Sequence, residues 1–327
     1  DISSSSTTFN GVMVAGYSDN IGADVHWGAE QTYDFYLNTF NRDSYDNSGG
    51  IASQYINPFY MQPAYDGSPN NAMAIGPPYN ATFFGIGDYE EMDYVASLDI
   101  VGHEYTHLVI DNNGNGGLTY FGESGALNES FADIMGISVE HYSGMPNWLL
   151  AEQVMLQVPF MRSMSDPNAA GHPDYYQGDY WASTTDDSDE GDAGGVHTNS
   201  GVQNYWFYLL SEGGSGTNEN QNDYSVNGIG IADAQQIAYR NLTTYLTKDA
   251  TYQDAYYGSL YATIDLFGSG SSQYASVIAA WNAVGLYGEV IIEIAGCTDP
   301  SACNYDVNAT IDDGSCYQIY ASIYQDG

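Results

Sequence analysis

The chain has 327 residues, enough for a sizeable core and for more than one domain. It carries 42 Asp and Glu against 4 Lys and Arg, a formal net charge of −38. So negative a surface repels nucleic-acid phosphates and anionic membranes, which excludes both as partners, and no apolar run reaches the length of a membrane span. Such acidity suits solubility at high ionic strength, where salt screens self-repulsion, and it also supplies carboxylates for calcium; we expect both, with most of the acids simply solvated. Tyr is abundant at 31 residues, which with many Asn, Ser and Gly suits a loop-rich extracellular protein. The chain starts at Asp1 without an initiator Met or a signal-peptide pattern, so we expect a secreted protein processed from a longer precursor, or zymogen.

Residues 1–22 are polar and Gly/Ser-rich and read as an irregular lead-in. Val25, Ala29, Tyr33, Tyr36 and Leu37 recur near helical spacing, predicting a helix over 24–41. Residues 50–95 alternate short apolar runs with Gly, Pro and Asn turns, a strand-and-loop pattern with runs at Ile51 to Tyr55, Ala72 to Ile75 and Thr82 to Ile86. From Ala96 to Ile110 the texture is that of a buried helix, stopped by the Gly/Asn-rich turn Asn112 to Gly117. Further helices are predicted from Asn128 to about Tyr142, Val202 to Ser211, Gly230 to Tyr245, Tyr252 to Phe267 and Ser272 to Val284. The expectation is an α+β protein: a β-rich lobe over 1–112 ending in the central helix, an α-helical lobe over 113–288, and an acidic, Cys-bearing tail over 289–327.

The chemistry falls at the junction. His103 and His107 are four residues apart, so on a helix both imidazoles share one face and can share one metal ion. Glu104 is rotated away from them and can serve a metal-activated water as general base. A catalytic zinc takes three protein ligands and keeps a position for water; Glu129 is available as the third. Asp133 lies one turn beyond Glu129 on the same face and, with Asn128, is suited to hydrogen-bond the ligand histidines. A bare His-Glu-x-x-His also arises by chance on amphipathic helices, but with only six His in the chain a spaced pair is less easily accidental.

From Ala23 to Gly288 the chain resembles the thermolysin family of neutral zinc metallopeptidases. The resemblance rests on separated motifs in the same order: Asp24-Val25-His26-Trp27 with Thr32-Tyr33-Asp34-Phe35-Tyr36, Asn70-Asn71-Ala72, His103 to His107, Gly125-Ala126-Leu127-Asn128-Glu129, Arg162 to Pro167, and Asp192 to Gly201. It implies a two-lobed peptidase with the metal helix at its centre, one catalytic Zn2+ on His103, His107 and Glu129, and Glu104 as general base. It further implies Tyr120 and His197 as donors to the transition-state oxyanion, Asp192 as the carboxylate that orients His197, Arg162 as a ligand of a substrate carbonyl, and Asn71 with the Ala72 backbone as groups holding an extended peptide. The physical logic stands beside it: amide hydrolysis builds charge on the carbonyl oxygen, and a phenol and an imidazolium aimed there stabilise the transition state over the ground state.

The resemblance also implies at least one structural Ca2+, on Asp99, Glu140, Asn147 and Glu152, with Asn147 standing where the family usually has Asp and so removing a charge. The segment before Ala23 is much shorter than the family's N-terminal β-region, and Ala74 stands where a large aromatic is often found on the non-primed side of the cleft. A bulky apolar residue is expected just after the scissile bond, with Ile100 and Met161 as pocket walls; the expected partners are peptides and proteins, and the expected state a monomer. The tail is similar to a short Cys/Asp motif of secreted Bacteroidetes proteins; its three Cys leave at least one without an intrachain disulfide partner, and its Asp residues are read as linker rather than metal site. A calcium-binding adhesion protein would explain the charge and the tail but not the linked zinc and oxyanion residues, and an inactive homologue is opposed by the intact Glu104 and His197.

Overall fold

A computed structural model describes residues 19–56, 68–188, 191–289, 295–307, 309 and 311–318. The first long element is α1 (Asp19–Phe40), which buries Ile21, Val25 and Ala29 at i, i+4 and i+8 and packs across the following helix. Of the irregular lead-in expected over residues 1–22, residues 19–22 are helical instead, because Ile21 continues the apolar stripe by one more turn; the rest lies outside the described residues.

Three short strands follow: β1 (Ser53–Ile56), β2 (Ala72–Ile75) and β3 (Ala81–Phe84). They form one sheet in the order β1-β3-β2, with β1 parallel and β2 antiparallel to β3. The central β3 is buried throughout and its Phe83 and Phe84 reach opposite sides. The strand β2 is an edge, with unpaired backbone groups on its free side.

The two helices that follow organise the molecule. In α2 (Leu98–Asp111) nearly every residue is buried, and Asn112 with left-handed Gly114, Gly116 and Gly117 ends it. The helix α3 (Gly122–Tyr142) begins six residues before the predicted Asn128, because Gly125 must lie against Val196, where even a Cβ would sit 2.3 Å from its Cγ1. The pair meets at Gly102 and Gly136: a Cβ on Gly102 would lie 3.1 Å from the Gly136 Cα, and one on Gly136 would lie 2.6 Å from the Asp99 carbonyl oxygen. Only glycine allows this approach, and it sets the register of α2 against α3.

Beyond the two-residue pair β4 (Leu149–Leu150) and β5 (Arg162–Ser163), the chain is mainly helical: α4 (Asp192–Asn199), α5 (Gly201–Glu212), α6 (Ile231–Arg240), α7 (Tyr252–Phe267) and α8 (Ser272–Ala283). The predicted helix Gly230 to Tyr245 is α6 with its last turn rewound as a π-helix over Asn241–Tyr245. Thr251 and Asp254 close a capping box that starts α7. Trp206 of α5 stacks on Trp281 of α8 at 4.5 Å, and the Trp281 indole N–H donates to Ser259 Oγ, so one of the two largest side chains of this core also has a polar anchor. A hairpin of β6 (Gly213–Thr217) and β7 (Asp223–Asn227) lies on α8; its polar, Gly-rich sequence carries no strand pattern. In the tail, Cys297 and Cys316 form a disulfide beside the short parallel pair β8 (Ala295–Gly296) and β9 (Ile311–Asp312), and Cys303 is free and exposed. Asp299 and Asp313 accept hydrogen bonds from Ser301 and Ser315 within their own turns.

Candidate active site

The Gly102–Gly136 contact brings the polar face of α2 onto that of α3. His103 Nδ1–H donates to Asp133 Oδ1 at 2.8 Å, and His107 Nδ1–H donates to Asn128 Oδ1 at 2.7 Å, while the Asn128 amide nitrogen is held by the Leu118 carbonyl. Each imidazole is thereby fixed in the tautomer that turns an Nε2 lone pair toward the other ring. The two Nε2 atoms are 3.0 Å apart, and each is 3.4 Å from a Glu129 oxygen. Two acceptors and a carboxylate facing one another require a cation. A tetrahedral zinc with bonds of about 2.0–2.1 Å holds its ligand atoms about 3.4 Å apart, so these three residues fit that ion. Among the described residues, they are the one group of three or more His, Cys, Asp or Glu whose ligand atoms all converge within 4.8 Å.

The protonation pattern points the same way. Burial opposes charge on His103, yet its hydrogen bond to Asp133 and the adjacent carboxylates of Glu129 and Asp133 raise it to about 10; burial lowers His107 to about 4. Glu129 lies well below the usual carboxylate range despite its burial, because His197, His107 and His103 surround it, and its Oε2 is buried without a hydrogen-bond partner. The centre draws positive charge.

Asp133 is the node behind it. Fully buried, it accepts from His103 Nδ1, from Arg162 Nε at 2.8 Å and Nη2 at 2.6 Å, and from Asn204 Nδ2 at 2.8 Å. Arg162 thus makes a bidentate ion pair that its sequence position alone did not reveal, and its Nη1 faces only the Met161 sulfur at 3.5 Å. Asn204, one helical turn into α5, is a supporting residue that sequence reasoning missed; a lone buried Asn carries no motif.

On the opposite wall, Tyr120 donates to Glu129 Oε1 at 2.5 Å and lies 3.1 Å from His197 Nε2, itself 3.5 Å from the same oxygen. His197 is aimed by Asp192, which accepts from its Nδ1 at 2.5 Å and from its backbone N–H at 2.9 Å. This clasp is built by four successive left-handed residues, Asp192, Ala193, Gly194 and Gly195, with φ of 51°, 48°, 81° and 74°. Gly194 and Gly195 take that conformation freely; Asp192 and Ala193 are held in it at a cost of about 1–2 kcal/mol each. The net effect of Asp192 and Glu129 is to raise His197 against the burial that opposes its charge.

His103, His107, Asn128, Glu129, Tyr120, Arg162 and His197 line one cleft of about 780 Å³, with Glu104 between the ligand histidines and pushed up to about 7 by burial. Asn71 and Ala72 line it from the edge strand β2, and Ile100, Met161 and Arg162 from one end. His172 also lines it, lowered to about 4 by burial and next by Arg162; no motif singled it out.

Asp99, Glu140 and Glu152 form a second cluster behind the same helix pair. Burial, then the charges of Asp99 and Glu152, push Glu140 up to about 9, and Asp99 and Glu152 are also raised. Glu152 Oε2 is buried without a partner. Asn147 lies beside these acids: its amide nitrogen donates to Glu140 at 2.7 Å and Glu152 at 3.2 Å, while its Oδ1 accepts from the Leu149 N–H at 2.7 Å.

A cleft with three convergent metal ligands, a buried carboxylate among them and two proton donors opposite defines a metallohydrolase class of site. The chain belongs to the thermolysin metallopeptidase family: residues 1–111 match the catalytic domain of thermolysin metallopeptidases and residues 116–286 their alpha-helical domain. It is similar to bacillolysin of Brevibacillus brevis, 36% identical over 83% of this chain and 47% of that one, and to thermolysin of Alicyclobacillus acidocaldarius, 37% identical over 82% and 46%. It is 35% identical to the neutral protease NprE of Bacillus pumilus over 82% of this chain and 78% of that one. The chain spans about half the length of the bacillolysin and thermolysin sequences. Among solved structures, the precursor of protealysin, a metalloproteinase from Serratia proteamaculans, superposes with a TM-score of 0.64 at 26% identity, covering 84% of this chain and 82% of that one.

Proposed function

We propose that this protein is a secreted zinc endopeptidase that cleaves peptide chains before bulky apolar residues. The observation that carries the reading is the convergence of His103, His107 and Glu129 with Glu104 and the Tyr120–His197 pair in one cleft. Zinc bound by the three ligands supplies Lewis acidity. The chain's own residues do the rest. Glu104, buried and lining the cleft, takes the proton of the attacking water and delivers it to the leaving amine. Tyr120 O–H and His197 Nε2–H donate to the oxygen that gains charge, and Asp192 keeps His197 oriented and protonated. Arg162, anchored on Asp133 through Nε and Nη2, offers Nη1 to a substrate carbonyl. An extended substrate pairs with the free edge of β2 at Asn71 and Ala72.

The apolar end of the cleft, with Val95, Ile100, Leu150 and Met161, supports the preference for a bulky residue after the scissile bond. The Cys297–Cys316 disulfide supports an oxidising, extracellular setting. The acids Asp99, Glu140 and Glu152 would hold a structural calcium.

The test is casein cleavage by zinc-loaded protein, with cut sites mapped by mass spectrometry and Glu104→Gln as control. Cuts before Leu, Ile or Phe are expected, and the variant should keep zinc and fold while losing roughly 10²–10⁴-fold in rate. A zinc-loaded wild type that cuts nothing sinks the proposal.

A further inference from the structure

The cleft-facing stripe of α2 runs Ile100, His103, Glu104, His107, Asp111, and its two ends differ in kind. At the Ile100 end the walls are apolar. At the other end Asp111 presents a carboxylate to the cleft beside Ala74, Leu118 and Tyr120. That carboxylate is exposed, and it has no hydrogen-bond or ion-pair partner among the described residues. It lies against the backbone just past β2, where a Cβ on Gly76 would meet its Oδ2 at 1.9 Å. The edge strand runs alongside the helix in the same sense. Ala72 packs with the cluster containing Ile100, Ala74 packs with the cluster containing Leu118, and Gly76 reaches Asp111. A peptide extended along β2 with its apolar side chain at the Ile100 end therefore passes Asp111 on the far side of the metal ligands.

We infer that Asp111 forms an acidic subsite that selects a Lys or Arg side chain at the second or third residue before the scissile bond. The inference rests on the peptidase reading given above. Spacing sets the position: the metal ligands centre about six residues before Asp111, roughly 9 Å along the helix, which an extended chain covers in about two to three residues. Ala74 sets the space, since its methyl leaves room for a long side chain between strand and helix. Chemistry sets the preference: a cationic head would satisfy an otherwise unpaired carboxylate, while its aliphatic stem lies along Ala74 and Leu118.

The test compares peptides that share a Leu after the scissile bond and differ only at those two positions, carrying Lys, norleucine or Glu, with the same Lys placed at the far terminus as control. With wild type, kcat/KM should run Lys over norleucine over Glu, with about tenfold between Lys and Glu at low salt and a smaller ratio at high salt. In Asp111→Asn the ratio should fall to near one. Because that variant removes one of 42 acidic residues, the overall field that attracts any cationic peptide is nearly unchanged, and the terminal-Lys control should respond equally in both proteins. Equal turnover of the Lys and Glu peptides by wild type, or discrimination surviving in Asp111→Asn, overturns the inference. If no peptide is cleaved, the peptidase reading fails on its own account. The same ladder is then read as peptide affinity by calorimetry on zinc-loaded protein, with the same two outcomes deciding.

Discussion

Two clusters of buried acids sit on the α2–α3 pair, one on each side of the Gly102–Gly136 contact, and they are neutralised in opposite ways. Around the metal ligands two of the three buried carboxylates have cationic or polar partners built into the chain: Asp133 has His103, Arg162 and Asn204, and Glu129 has three histidines around it, while Glu104 is pushed up to about 7 by burial. Around Asp99, Glu140 and Glu152 the donors are neutral amides, among them the Ala151 and Ile100 N–H groups to Asp99 and the Asn147 side chain to Glu140 and Glu152, and Glu140 is pushed up to about 9. The first cluster draws most of its compensation from the chain's own side chains. The second lacks positive charge of its own, so its order depends on what binds. Preorganisation belongs where the reaction occurs, and dependence on an ion is tolerable where the role is to hold helices together.

The largest expected effect breaks the first cluster. Asp133→Ala removes one carboxylate and strands three donors, among them the buried guanidinium of Arg162. Leaving a buried charge unpaired costs about 3–5 kcal/mol. Urea denaturation should show a loss of that size, and zinc affinity should fall as well because His103 loses its orienting partner. Asp133→Asn keeps the shape and separates the two effects: a stability loss as large as that of Ala would show that charge, not shape, is what Asp133 supplies.

Next in size is a change that touches both clusters at once. Gly136→Ala places a methyl 2.6 Å from the Asp99 carbonyl and 3.3 Å from the His103 backbone nitrogen. Since the obstacle is backbone, the helices must separate, at about 1–3 kcal/mol by the usual cost of overpacking. Calorimetric titrations should show zinc and calcium affinities falling together. If one falls and the other holds, the two sites do not share the helix contact as a common support.

Those sites differ in how legible they were. His103, Glu104 and His107 could be read because ligand spacing on a helix is periodic, and the turn before His197 because Gly194-Gly195 takes a tight left-handed backbone freely. The helices α7 and α8 were placed to within a residue, since caps and apolar periodicity are local properties. What escaped was set by tertiary contact. The start of α3 at Gly122 depends on Val196, some seventy residues away, and the Arg162–Asp133 pair and Asn204 become partners only when α5 and β5 close on α3. The β6–β7 hairpin escaped because backbone pairing, not side-chain alternation, makes it. The Asn147 amide likewise takes its orientation from its neighbours, among them the Leu149 N–H.

The smallest expected effect sharpens the contrast at that residue. Asn147→Asp replaces an N–H donor between Glu140 and Glu152 with a third oxygen acid, since its neighbours hold Asn147 Nδ2 at 2.7 Å and 3.2 Å from those carboxylates. Without calcium the added charge deepens the existing repulsion, and the variant should melt below wild type by an amount equivalent to about 1 kcal/mol. With calcium the sign reverses, because another carboxylate tightens an all-oxygen site. The measurement is a melting curve of metal-stripped protein reloaded with zinc alone and then titrated with calcium. The gap between the calcium-free and calcium-saturated melting temperatures should widen in Asn147→Asp relative to wild type. An unchanged gap would mean that the cluster is neutralised by protons and the Asn147 amide at all calcium levels, and that the second cluster, like the first, carries its own compensation.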